Sequence, residues 1–130
     1  MTVLSVKTDN PKAELGLYVD SKQIGKIEWQ AHRQLAETIH KKIGELLQGA
    51  DKQLSDIDGI VCFKGPGSFT GLRIGLSVAN ALAYSLKIPV VCAMGENWAQ
   101  SGINGLLLGK NNHVALPEYD RPAIITMPSK

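Results

Sequence analysis

The chain has little of what would assign a chemistry at sight. Its 130 residues contain two cysteines, Cys62 and Cys92, both inside apolar runs. With no CxxC pair, neither a disulfide scaffold nor a zinc or dithiol redox motif is indicated. Of the three histidines, His32 and His40 stand eight apart with Glu37 between them, and His113 sits in an Asn-rich stretch. No HxxxH or HExxH pair exists, so the ligand spacing of a zinc hydrolase is missing. Charge is also scarce: the formal net value is +2, and the basic residues are scattered, Lys41-Lys42 being one of few adjacent pairs. No stripe tracks a nucleic-acid backbone, and RNA binding by the chain alone is not expected. No apolar run approaches the length of a bilayer span, and no basic, apolar leader precedes Thr2. The expectation is a cytoplasmic protein with reduced thiols and no membrane contact. What is present, 44% hydrophobic and 20% charged residues without repeats or low-complexity tracts, fits one soluble globular domain.

The periodicities give the order of elements. Val3 to Thr8 reads as a strand, and Ala13, Leu15, Leu17 and Val19 alternate with more polar neighbours as a half-buried strand does. Asp20-Ser21-Lys22 supplies a hairpin turn, and Gln23 to Trp29 completes an antiparallel meander. The period then lengthens: Leu35, Ile39, Ile43, Leu46 and Leu47 recur at helical spacing, predicting an amphipathic helix over 32–48 that closes near Gly49. Gly59 to Phe63 is a continuous apolar run, the mark of a strand covered on both faces. A helix over 71–86 follows, and Pro89 to Ala93 reads as another buried strand. Three strands, then helix, strand, helix and strand, predict an α/β fold with a mixed sheet and two main helices packed on it. Beyond Met94 the signals weaken, and Ala123 to Met127 is a candidate edge strand.

Between the buried strand and the second helix lies the loop Gly65-Pro66-Gly67-Ser68-Phe69-Thr70-Gly71. A glycine-rich turn that leaves a strand and opens a helix gathers backbone N–H groups at the positive end of the helix dipole, the general design of an anion site. Ser68 or Thr70 would cap the helix or donate to a phosphate. The lysine and magnesium-binding hydroxyl of a P-loop are missing, however, and Gly65-x-Gly67-x-x-x-Gly71 is out of register with the dinucleotide fingerprint. The alternative is a tight turn that needs glycine for its backbone angles. The helix that follows carries Gly71, Gly75, Ser77, Ala79, Ala81, Ala83 and Ser85, a set small enough to let another helix approach closely, within this fold or from a partner.

Residues 54 to 91, LSDIDGIVCFKGPGSFTGLRIGLSVANALAYSLKIPVV, resemble the signature region of the bacterial TsaB family, also called YeaZ. The likeness extends back through HRQLAETIHKKIGELL and the meander, covering nearly all of residues 2 to 93. The resemblance implies a single actin-like ATPase (ribonuclease H-like) lobe over 1–93, with 94–130 as a shortened bridge and tail where the family continues into a second lobe; Pro117 to Pro122 faintly resemble the family's Pro- and Tyr-rich end. It further implies a non-catalytic scaffold subunit, without activity alone, in the biosynthesis of threonylcarbamoyladenosine beside the tRNA anticodon. Its partners would be a TsaD-like subunit, which carries the ATP and metal, and a TsaE-like ATPase. Contact with tRNA would come only through the complex, and a homodimer would use the same helices.

By position in the family's helical bundle, the partner surface falls on His32, Leu35, Ala36, Ile39, Ile43, Arg73, Ile74, Ser77, Val78 and Ala81. Family members commonly end the first strand with Asp-Thr-Ser, where this chain has Lys7-Thr8-Asp9. That change sets a cation where an actin-like ATPase needs a carboxylate. Two other classes remain as alternatives: a nucleotide-binding actin-fold enzyme using the Gly65 to Gly71 loop, with Gly65, Gly67, Ser68, Thr70 and Gly71 as its contacts, and a metallopeptidase-like hydrolase, which the absent ligand spacing disfavours.

Overall fold

The structure, a computed structural model, describes residues 1–67 and 69–112, and of His32 and Phe69 the backbone alone. Ser68, His113, the Pro117 to Pro122 stretch and the strand expected at Ala123 to Met127 lie outside the described residues. Five strands form one sheet: β1 (Thr2–Lys7), β2 (Lys12–Val19), β3 (Lys22–Gln30), β4 (Gly59–Phe63) and β5 (Val90–Ala93), in the order β3-β2-β1-β4-β5. The first three make the antiparallel meander, while β4 pairs parallel with both β1 and β5. The β2–β3 hairpin closes through Asp20 and Ser21, whose φ values of 50° and 70° are those of a type I′ turn.

A 3-10 turn at His32–Gln34 leads into α1 (Leu35–Gly49), and α2 (Phe69–Leu86) connects β4 to β5. The apolar positions predicted for α1 are those it buries: Leu35, Ile39, Ile43, Leu46 and Leu47. A third helix, α3 (Trp98–Leu107), occupies the stretch where sequence periodicity was weak. All three helices end on the same device, a left-handed residue followed by an N–H that reaches back five residues to a carbonyl. Asp51 (φ 57°) precedes Lys52 N–H to Leu47 O, Lys87 (φ 58°) precedes Ile88 N–H to Ala83 O, and Gly109 (φ 85°) precedes Lys110 N–H to Gly105 O.

Strand alternation divides the interior in two. Leu4, Val6, Leu15, Leu17, Ile60, Cys62 and Val90 face α1 and α2 and form the larger core with them. On the other face Val3, Val61, Phe63, Val91 and Ala93 meet Trp98, Ile103 and Leu106 of α3. The Phe63 and Trp98 rings pack edge to face, 5.6 Å between centroids at 70°, a geometry that contributes about 0.5–1.5 kcal/mol beyond area burial. Gly102 lets α3 sit this close, because a Cβ there would fall among the Val61 side-chain atoms. The outer face of β2–β3 carries exposed ion pairs, Lys12–Glu28 and Lys26–Glu28, both 3.1 Å, which stabilise little.

Two glycine substitutions are expected to shift stability in opposite directions. Gly44→Ala, inside α1 with nothing within 4 Å of the added carbon, should stabilise by about 0.5–1 kcal/mol. Gly102→Ala should cost about 1–3 kcal/mol despite the same propensity gain, because Val61 has nowhere to go. Urea unfolding of both variants, with Trp98 fluorescence as the probe, checks the signs.

Candidate functional site

The end of β1 fixes the start of α2. Thr8, 2% exposed, donates its hydroxyl to the Gly71 carbonyl at 2.7 Å. Gly67 lies so close to Asp9 that a Cβ would overlap the Asp9 Cβ and crowd its backbone, and a Cβ on Gly75 would overlap the Thr8 hydroxyl. Gly65, at φ 106°, is in the backbone region that other residues resist. The glycines of the loop therefore serve close packing, and the space on the Cβ side of Gly67 is taken by Asp9. Asp9 Oδ1 in turn holds Lys7 Nζ at 2.6 Å, and that ammonium lies 4.7 Å from the centre of the Phe63 ring. Sequence reasoning saw the lysine in place of a carboxylate and Asp9 two residues later; it missed that the two pair.

The small residues of α2 separate into two sets. Gly75, Ala79 and Ala83 are buried and, with Gly71, recur every four residues along the side turned to the sheet. Ser77, Ala81 and Ser85 are exposed. On the outer side of the α1–α2 pair lies a groove of about 460 Å³, lined by Ala36 and His40 from α1 and by Thr70, Arg73, Ile74, Ser77 and Val78 from α2. A second hollow of about 420 Å³, lined by Asn10, Pro11, Ala31, Arg33, Leu35, Thr70, Gly71 and Ile74, shares Thr70 and Ile74 with it. Together they run from the β1–β2 loop along the two helices.

This placement corrects part of the predicted partner surface. Leu35 (4% exposed), Ile39 (0%) and Ile43 (3%) fill the core between α1 and the sheet, because the apolar stripe of an amphipathic helix is claimed by its own fold first. Val78 is 8% exposed and shows only an edge to the groove. Ala36, Arg73, Ser77 and Ala81 are exposed and Ile74 is half-buried, so these predicted positions do reach the surface. His40, which sequence reasoning passed over, joins them; its place four residues after Ala36 on the same helix face was the available signal. Among the described residues no three His, Cys, Asp or Glu side chains gather as metal ligands, and no helix is long and apolar enough to cross a membrane.

A mixed sheet in the order β3-β2-β1-β4-β5, with α1 and α2 on one face and a helix on the other, defines an α/β lobe of the actin-like, ribonuclease H-like class. Comparison with known proteins carries this further. The model of the family described as "TsaD: tRNA N6-adenosine threonylcarbamoyltransferase" matches residues 21–93, more than half of the chain. The chain belongs to this family, and its resemblance to the TsaB (YeaZ) proteins holds. The tRNA N6-adenosine threonylcarbamoyltransferase of Geotalea daltonii is 45% identical over 78 residues, covering 60% of this chain and 22% of the relative. The tRNA threonylcarbamoyladenosine biosynthesis protein TsaB of Bacillus subtilis is 33% identical over 90 residues, covering 69% and 39%. The solved structure of YeaZ from Pseudomonas aeruginosa superposes with a TM-score of 0.66 at 29% identity, over 72% of this chain and 43% of that one. The match thus spans less than half the length of each.

The contact between α2 and β1 is testable by non-additivity. Gly75→Ala should cost about 1–3 kcal/mol through overlap with Thr8, and Thr8→Ala about 1 kcal/mol through the lost bond to Gly71. In the double variant the overlap is relieved, so urea unfolding should give a loss smaller than the sum of the two.

Proposed function

We propose that this chain acts in tRNA threonylcarbamoyladenosine biosynthesis as a non-catalytic docking lobe whose α1–α2 face receives a TsaD-like subunit. The observation that carries the reading is the outer groove, where Ala36, Ser77 and the flank of Ile74 give a shallow surface of small side chains beside His40 and Arg73. Small side chains let a partner helix come close enough for ridges and grooves to interlock. Membership in the family, with a relative named for this biosynthesis, supplies the pathway. In this reading ATP and metal belong to the partner, a TsaE-like ATPase joins the assembly, and tRNA meets the chain only within it. Without the partner, two copies pair through the same helices.

A second reading has one observation in its favour: identity to the Geotalea daltonii transferase, 45%, exceeds the 33% to the Bacillus subtilis TsaB protein. The chain would then be a lobe of a transferase and would hold nucleotide beside the Gly65 to Gly71 loop. Asp9 weighs against it, since its Cβ and backbone already fill the space beside Gly67 that a phosphate would need.

Light scattering after size exclusion, on the chain alone and mixed with the TsaD-like protein of the same organism, separates the two. Docking predicts a stable mixed complex. Ser77→Arg and Ile74→Glu should weaken it at least tenfold, about 1.4 kcal/mol or more, while the unfolding midpoint of Ser77→Arg stays near that of the parent. A chain that ignores the partner sinks the docking reading. ATP with magnesium should leave the melting temperature unchanged, because only a ligand that binds the native state raises it; a clear rise supports the transferase reading.

A further inference from the structure

Cys62 of β4 and Cys92 of β5 are register partners across a parallel strand pair. Both face α1 and α2: Cys62 belongs to the larger core, and Cys92, partly buried, packs against it. Neighbouring strands lie ~4.8 Å apart, so partners in register fall within the ~4.4–6.8 Å between Cα atoms that a disulfide spans. Neither thiol has a part in the docking surface. They differ in access, Cys62 being 1% exposed and Cys92 only partly buried. Burial, and after it the neighbouring Cys92, pushes the Cys62 thiol far above its ordinary range, which makes Cys62 a poor first target for an oxidant. The surroundings are apolar, and a disulfide, being neutral, suits them where a pair of thiolates would not.

We propose that Cys62 and Cys92 are a redox pair, in which Cys92 is oxidised first by a peroxide and Cys62 resolves it to a disulfide tying β4 to β5 beneath α2. The Cys92 thiolate attacks one peroxide oxygen, the O–O bond breaks and hydroxide leaves, giving a sulfenic acid. The Cys62 sulfur then attacks the Cys92 sulfur, the S–O bond breaks, and the proton of Cys62 leaves with the hydroxyl as water. The two thiols together give two electrons to the peroxide. The second step is the slower, because the buried thiol parts reluctantly with its proton, and the fixed register compensates by keeping the two residues side by side.

The test treats the full chain with hydrogen peroxide, quenches it, alkylates in denaturant and maps the peptides by mass spectrometry. The pair predicts a monomer lighter by two hydrogens, a linked Cys62–Cys92 peptide, and recovery of both thiols in dithiothreitol. In Cys62→Ala, Cys92 should lack its resolving partner and progress to the sulfinic acid. Wild-type chain that accumulates Cys92 sulfinic acid, or that links copies through Cys92, while Cys62 still alkylates overturns the proposal. The wild-type map decides the matter alone if Cys62→Ala fails to fold.

Discussion

The approach of α2 to the end of β1 is the constraint on which the candidate site depends. Gly67 against Asp9 and Gly75 against the Thr8 side chain are contacts with no room for a Cβ, and the Thr8 hydroxyl locks the arrangement through Gly71. Once this side of α2 is turned inward, helical geometry dictates the rest. Each residue turns about 100°, so Ser77, two positions after Gly75, points to the opposite side, as does Ala81 after Ala79. The groove's α2 wall is thus the reverse side of the same contact. A change that loosens Thr8 would be felt on the far side of the helix, without touching any residue that lines the groove.

The same corner explains why a glycine-rich loop at a helix start need not be an anion site. The space beside Gly67 is filled by Asp9 of its own chain, whose carboxylate is matched by Lys7 at 2.6 Å. Lys7 is further satisfied by the Phe63 ring, whose other contact is Trp98 of α3. Charge, ring and helix are therefore linked along the α3 face of the sheet. Asp9 would have to surrender its lysine before it could ligate a cation, and the lysine would then be left partly buried with only a ring beside it, a costly exchange.

The strands and the first two helices were legible because each carries an undisturbed period. Gly59 to Phe63 is buried at every position, as its unbroken apolar run demands, and Leu35 through Leu47 fall where a helix of 3.6 residues per turn puts them. The helix α3 was not legible because two of its buried positions, Gly102 and Gly105, are glycines. Neither contributes a hydrophobic side chain, and Gly102 is needed for the close approach to Val61, so the period is lost at these positions. The groove was half legible for a related reason. Periodicity says which residues share a face of a helix, never which neighbour covers that face; Leu35, Ile39 and Ile43 were correctly grouped and then assigned to a partner when the sheet had already taken them. One step round the same helix, Ala36, which the sequence reading named, and His40, which it did not, carry the exposed surface.

The extent of the family match bears on where a shared function can reside. Residues 21–93 run from the β2–β3 turn through β5. Every residue that lines the outer groove lies between 36 and 78, inside that span, whereas α3, which covers the opposite face of the sheet, lies beyond it. The matched span includes the whole α1–α2 face, and in this chain Thr8 and Asp9 pack against α2 and the loop before it. A surface fixed before its partner arrives has little ordering cost to offset on binding. A groove built from small side chains loses little rotamer entropy when it is covered. Close packing at Thr8 and Gly75 and small side chains at Ala36 and Ser77 thus both lower the cost that the proposed docking would have to offset.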